Sequence, residues 1–196
     1  MLHIPQPSMA LNSHNVPPPD YRMWNTRKVA AHTDISGLML NVRSVAGAAQ
    51  GGMLRCLVIN SHGSPGGLDL GKGIGRGETP LFTVLKGKVH TIIIVACEVA
   101  RIGSATCSTV SPSCRWNDGN LFCGEIARNT GAYVFASTAL QSPYLYYIIG
   151  LPVNYVDDYE GTIYRYNPNG SCKPVTNADI SRWMDTLKTG PFCPPD

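Results

Sequence analysis

Residues 89–97 read V-H-T-I-I-I-V-A-C, an apolar, β-branched run that ends in a small residue and a cysteine. A second apolar run, L-R-C-L-V-I-N, covers residues 54–60 and is followed by Ser61, His62 and Gly63. Continuous apolar runs of this length are typical of strands that are buried on both faces of a parallel sheet. The two runs therefore predict a sheet whose strands are mostly parallel.

The segments around these runs complete an α/β pattern. Residues 34–50 place apolar side chains at helical spacing behind Thr33 and Asp34, which are suitable N-caps, and Gly51 follows as a stop signal. The remaining predicted elements are a helix over 118–129, a strand over 133–136 and a final helix over 177–188. We therefore predict an α/β fold with a mostly parallel central sheet.

The chain has 196 residues, which is enough for one domain with a substantial hydrophobic core. Residues 1–22 contain P-Q-P and P-P-P-D without hydrophobic periodicity, so we expect an extended or disordered leader that carries no chemistry. Residues 23–196 then form a single domain with a motif-bearing core over 53–138. The tail, 139–196, is expected to form a lid or an antiparallel hairpin before the C-terminal helix.

The composition excludes several classes of function. Lys and Arg number 16, Asp and Glu number 13, and the net charge of +3 is not concentrated in runs, so nucleic acid is not an expected partner. No stretch approaches the roughly 18 apolar residues of a membrane span. The N-terminal residues lack the basic and apolar regions of a Sec signal peptide, so we expect any export to use a non-Sec route.

Seven cysteines are many for a chain of this size, and their odd number leaves at least one thiol unpaired. Disulfides in an oxidising compartment and buried free thiols are both open interpretations. If bridges form, Cys107 and Cys114 are the expected pair, because a short loop with Pro112 separates them.

No C-x-x-C or similar spacing predicts a metal site, and the glycine-rich residues 66–77 do not match the spacing of phosphate-binding or dinucleotide-binding loops. We therefore predict no cofactor.

The two apolar runs bring a histidine and a cysteine to one edge of the predicted sheet. His62 follows the first run and Cys97 ends the second, and ligands gather at the carboxyl ends of parallel strands. A cysteine thiolate is a nucleophile, and a neighbouring imidazole can take its proton and later protonate a leaving group. The N–H groups of Gly63 and Cys97 are candidates for an oxyanion hole. Each residue alone has an ordinary explanation, a loop histidine or a core cysteine, but together they predict acyl transfer.

Three stretches carry a resemblance to a known family. They are L-V-I-N-S-H-G-S-P-G-G-L-D-L-G (57–71), V-A-C-E-V-A (95–100) and F-C-G-E-I-A-R-N-T-G-A-Y-V-F-A-S-T (122–138). In order and spacing they resemble the caspase-like cysteine peptidases of clan CD, and most closely the caspase-like domains of large bacterial surface and secreted proteins. The resemblance covers roughly residues 53–138. The Cys- and Ser-rich insertion at 103–117 departs from the compact bacterial pattern.

The resemblance implies a three-layer sandwich with a mostly parallel central sheet and a short antiparallel extension. It implies His62 as the general acid and base and Cys97 as the nucleophile, without an obligatory third residue. Such peptidases read the side chain before the cleaved bond, in a pocket near the strand that here ends at Ser137. Asp69 and Glu98 follow the two motifs, so an acidic pocket that selects Arg or Lys is one interpretation, and solvated loop charges are the other.

Two functions of different class follow from these features. The first is a cysteine endopeptidase that acts on a protein or peptide substrate through an acyl-enzyme, and the proline-rich start without a signal peptide suits a secreted effector. The second is a non-catalytic caspase-like module that binds protein, because fold does not fix function. Acyl transfer to a non-peptide acceptor would use the same thiol. The sequence predicts no particular oligomeric state.

Overall fold

The computed structural model describes residues 1–102, 118–141 and 152–189. The helices of this part of the chain are α1 (Ile35–Ala48), α2 (Gly119–Thr130) and α3 (Asn177–Thr189). The strands are β1 (Leu2–His3), β2 (Ser8–Ser13), β3 (Asn25–Val29), β4 (Leu54–Asn60), β5 (His62–Ser64), β6 (Gly67–Asp69), β7 (Val89–Val95), β8 (Tyr133–Ser137), β9 (Tyr155–Val156), β10 (Ile163–Tyr166) and β11 (Cys172–Val175).

Seven of these strands form the central sheet, in the order β11-β10-β8-β7-β4-β2-β3. The pairs from β3 to β8 are all parallel, whereas β10 pairs antiparallel with both β8 and β11. Asn60 of β4 is in register with Val95 of β7, so these two central strands end side by side. The predicted α/β fold with a mostly parallel sheet and a short antiparallel extension is confirmed.

Alternate residues of the central strands contribute to different apolar clusters. Leu57 and Ile59 of β4 belong to one cluster, which includes buried side chains of α1 and α2. Cys56 and Val58 belong to the other, which includes buried side chains of α3. Because successive side chains of a strand point to opposite faces, the sheet lies between two helical layers.

The predicted helices are present because their capping signals are used. Asp34 accepts a hydrogen bond from the Gly37 N–H at 2.9 Å before α1 begins. Asp118 does the same for the Leu121 N–H, at 3.0 Å, before α2. Gly131 ends α2 with φ of 68°, a left-handed conformation that favours glycine.

The expected leader over residues 1–22 requires correction. Ser8–Ser13 form the fully buried strand β2, which pairs in parallel with both β3 and β4. The physical reason is that the polar groups of this strand are satisfied internally. The Ser8 hydroxyl donates to the Pro5 carbonyl at 2.6 Å and accepts from the Cys56 N–H at 2.9 Å. The sheet therefore begins with the segment that the sequence analysis set aside.

The tail after the motif-bearing core extends the sheet. β10 adds to β8 and forms an antiparallel hairpin with β11, as the prediction of short antiparallel strands requires. The short strand β9 pairs with β1. The insertion at 103–117, with the Cys107–Cys114 pair predicted there, lies outside the described residues, as does 142–151.

Candidate active site

His62 and Cys97 lie at the same edge of the sheet because their strands are parallel neighbours. β4 ends at Asn60 and β7 at Val95, and each candidate follows its strand by two residues. Both side chains line one cavity of about 200 Å³. The structure thus brings the predicted pair together at the carboxyl ends of two central strands, where ligands of open α/β sheets bind.

His62 is exposed and begins β5, a short strand that folds back antiparallel on β6. Its Nε2 lies 3.1 Å from the carbonyl oxygen of Asn15. A carbonyl accepts only, so this contact requires a proton on Nε2 and leaves Nδ1 as the basic nitrogen of the neutral ring. The segment after β2 therefore orients the imidazole.

Cys97 is half-buried in the turn that follows β7. Its Sγ accepts a hydrogen bond from the Gln141 N–H at 3.4 Å and lies 3.8 Å from the Gln141 carbonyl oxygen. Glu98, the next residue, has a positive φ of 53°, which is uncommon for a residue with a side chain. The Glu98 N–H donates to the Ala139 carbonyl at 2.9 Å and helps to hold this turn. The cysteine is thus fixed from both sides.

Gly63 approaches the backbone of Cys97 closely. A Cβ atom at position 63 would lie 2.7 Å from the Cys97 carbonyl oxygen and 2.9 Å from the Ala96 Cβ. Both distances are shorter than ordinary van der Waals contact, so only glycine fits without movement. The two segments that carry the candidate nucleophile and the candidate base are therefore packed directly against each other.

The remaining predicted site residues do not line the cavity that holds Cys97. Asp69 lies opposite His62 in the β5–β6 pair, and its carboxylate accepts from Asn15 Nδ2 at 2.6 Å. Glu98 forms an ion pair with Arg101. Ser137 is buried, and its hydroxyl donates to the Glu160 carbonyl and accepts from the Ala139 N–H. The acidic and hydroxyl groups assigned from the motifs are thus used in local structure.

Instead, the acidic side chains of the cavity are Asp157 and Asp158, from the segment between β9 and β10. The Tyr21 hydroxyl donates to Asp157 Oδ2 at 3.0 Å. Tyr21 is held in turn by two hydrogen bonds of its backbone to the Asn12 side chain, each 3.0 Å long. Sequence analysis missed these residues because they belong to the presumed leader and the tail, outside the motifs.

Among the described cysteines, Cys97 has the surroundings best suited to a nucleophile. Burial raises the pKa of the Cys56 thiol to about 12 and raises the pKa of Cys123 further. Cys172 is exposed on the edge strand β11, where partial desolvation also raises its pKa. Cys97 combines partial exposure with a place in the cavity.

His62 and Cys97 are not hydrogen-bonded to each other; within the described residues, each contacts backbone of another segment instead. A substrate placed between them would have to complete the pair. No group of three or more His, Cys, Asp or Glu in the described part of the chain is arranged to hold a metal ion.

Comparisons with known proteins add no family to this geometry. No protein-family model matches the chain, and no curated protein matches it. Among the described residues, no helix has the length and apolar character to span a bilayer.

Proposed function

We propose that the chain is a cysteine endopeptidase with a caspase-like fold, in which Cys97 is the nucleophile and His62 the general acid and base. The observation that carries this proposal is the placement of both residues at the ends of adjacent parallel strands, lining one cavity. The half-buried thiol of Cys97 and the exposed imidazole of His62 are both accessible to a bound peptide.

The proposed reaction has two steps. In the first, the Cys97 thiol gives its proton to His62, the sulfur forms a bond to the peptide carbonyl carbon, and the resulting imidazolium gives this proton to the amine as the C–N bond breaks. In the second, His62 takes a proton from water as the water oxygen attacks the thioester carbon. The C–S bond then breaks, the acyl group leaves as a carboxylic acid, and the imidazolium returns its proton to the Cys97 thiolate. The N–H groups of Gly63 and Cys97 are the proposed donors to the oxyanion in both steps.

The close approach of Gly63 to Cys97 supports this assignment. An oxyanion hole needs two donors whose separation is fixed before the substrate arrives. The 2.7 Å that a Cβ at position 63 would leave to the Cys97 carbonyl means that these backbones already touch. The contact therefore supports the proposal by fixing the Gly63 and Cys97 segments relative to each other.

The alternative is a non-catalytic caspase-like module that binds protein. The observation that favours it is that the His62 Nε2 and the Cys97 Sγ are each engaged by backbone and not by each other. A binding module would keep these contacts, whereas an enzyme must exchange at least the thiol contact during attack.

The two functions are separated by a peptide library incubated with the wild-type protein and with Cys97→Ala. We expect cleavage by the wild type and none by Cys97→Ala, because the nucleophile is lost. Cys172→Ala is the matched control, since it removes an exposed thiol outside the cavity and should leave cleavage unchanged. His62→Ala should reduce kcat by about 10²- to 10⁴-fold, the usual contribution of a general acid and base.

Alkylation provides a second readout that does not need a substrate. Peptide mapping after brief iodoacetamide treatment at neutral pH should find Cys97 modified faster than Cys172, and this difference should shrink in His62→Ala. Equal rates at the two thiols, together with no cleavage of the library, would favour the binding module. Loss of cleavage on addition of EDTA alone would contradict the metal-free dyad.

A further inference from the structure

Asp157 is a partly buried carboxylate in the cavity of His62 and Cys97 with one oxygen unused. Its Oδ2 accepts from the Tyr21 hydroxyl at 3.0 Å, whereas its Oδ1 is buried and has no hydrogen-bond partner among the described residues. A buried polar atom without a partner costs free energy, so native structures rarely retain one without a reason. An incoming hydrogen-bond donor would satisfy it.

The charge of the cavity indicates which kind of hydrogen-bond donor would bind Asp157. Asp157 and Asp158 both line it, and none of the described lining residues is Lys or Arg. Asp158 is already paired with the amino group of Met1 at 2.6 Å. Asp157 is therefore the carboxylate with an oxygen left for a ligand. Burial raises its pKa, and the Tyr21 hydrogen bond and the Met1 amino group act in the opposite direction.

The wall of the cavity fits the stem of a long basic side chain. Val16, Pro17 and Pro19 line it beside Tyr21, so an alkyl chain would contact apolar surface while its charged end reaches Asp157. The cavity is partly open and has a volume of about 200 Å³, which is enough for one long side chain. Because Cys97 and Asp157 line the same cavity, a residue next to the bond attacked by Cys97 is the one expected to enter it.

We propose that this cavity binds the side chain of Arg or Lys next to the cleaved bond and that Asp157, oriented by Tyr21, determines this specificity. The inference rests on the proposed peptidase function for its substrate, but the binding site itself does not. It differs from the sequence-based acidic pocket, because Asp69 and Glu98 are engaged elsewhere by Asn15 and Arg101.

The test compares peptides that differ only at the residue before the cleaved bond, which is Arg, Lys or citrulline. Citrulline has the shape of Arg without its charge. We expect the wild type to cleave the Arg and Lys peptides at least about tenfold faster than the citrulline peptide, as a charge-assisted hydrogen bond allows. Asp157→Asn should reduce the ratio of Arg to citrulline cleavage rates to about one.

Three further variants make the assignment specific. Tyr21→Phe removes the hydroxyl that holds Asp157, and it should lower the ratio of Arg to citrulline cleavage rates towards that of Asp157→Asn. Asp185→Asn, an exposed carboxylate on α3, is the control and should keep the wild-type preference. A preference that disappears in Asp69→Asn but persists in Asp157→Asn would overturn the proposal, and so would equal cleavage of the Arg and citrulline peptides by the wild type.

A binding measurement keeps the inference separate from the peptidase activity. Agmatine, the decarboxylated form of arginine, should bind to wild type and Cys97→Ala with equal affinity in an NMR titration, and at least about tenfold more weakly to Asp157→Asn. Binding without any peptide cleavage would support the cation site and reject the enzyme. Equal agmatine binding by wild type and Asp157→Asn, or none by either, would reject the cation site whatever the cleavage result.

Discussion

At the scale of single residues, Gly63 sets the spacing between the histidine and cysteine segments. Its absent side chain permits backbone contact with Cys97, where a Cβ would approach within 2.7 Å of a carbonyl oxygen. The sequence motif His-Gly pointed to this residue. Glycine is needed here because the Cys97 backbone approaches closely, not because the backbone adopts a left-handed turn. Backbone atoms on the other side cannot rotate away, so any substitution must move a segment.

We predict that Gly63→Ala lowers kcat/KM by about 100-fold, because a displacement of about 1 Å in a catalytic site costs that much. The matched control is Gly77→Ala, since a Cβ at position 77 meets no atom within 4 Å. Rates with the preferred library peptide, measured alongside thermal unfolding, distinguish misplacement from loss of fold. Full activity of the Gly63→Ala variant would remove the oxyanion role from this contact.

At the scale of elements, β2 shows what hydrophobic patterning leaves hidden. The strand S-M-A-L-N-S has three polar residues, Ser8, Asn12 and Ser13, and all three are fully buried. Asn12 accepts from the Asn60 side chain at 2.9 Å and bonds the backbone of Tyr21, so its polar groups are satisfied inside the sheet. The apolar strands β4 and β7 could be predicted, because their runs are continuous, but this partnered polar strand could not.

We predict that Leu11→Ala in β2 lowers the free energy of unfolding by about 2–5 kcal/mol, the usual cost of truncating a buried leucine. His14→Ala, one residue beyond the strand and exposed, should change it by less than about 0.5 kcal/mol. Urea unfolding followed by circular dichroism measures both values. Equal, small effects of the two substitutions would mean that this segment is not part of the cooperative core.

At the scale of the whole molecule, the candidate site joins segments that are far apart in sequence. The positions of His62 and Cys97 follow from the rule that parallel neighbours end together, so the sequence could predict them. Asp157 and Tyr21 reach the same cavity only through the path of the tail and of the segment after β2. No local pattern encodes that path, because it depends on how the completed sheet packs.

The whole molecule is also expected to lose stability in mild acid. Burial lowers the pKa of His90, which packs against both Tyr133 and Trp183 with ring centroids 5.7 and 5.8 Å away, and nearby Arg55 lowers it further. Burial likewise lowers the pKa of His3. In the unfolded chain these imidazoles return to their usual pKa of about 6.5 and take up protons first, so stability is complete above that pH and falls below it.

The corresponding experiment measures the free energy of unfolding between pH 8 and pH 5 for the wild type and His90→Gln. We expect the wild type to lose stability progressively below about pH 6.5, and the loss to be smaller in His90→Gln, because its side chain takes up no proton. His14→Gln is the exposed control. Asp157 acts in the opposite direction, because its raised pKa favours the folded state as pH falls. Both proteins contain Asp157, so its contribution cancels in the difference between their free energies of unfolding. If this difference stays constant from pH 8 to pH 5, the assignment to His90 is contradicted.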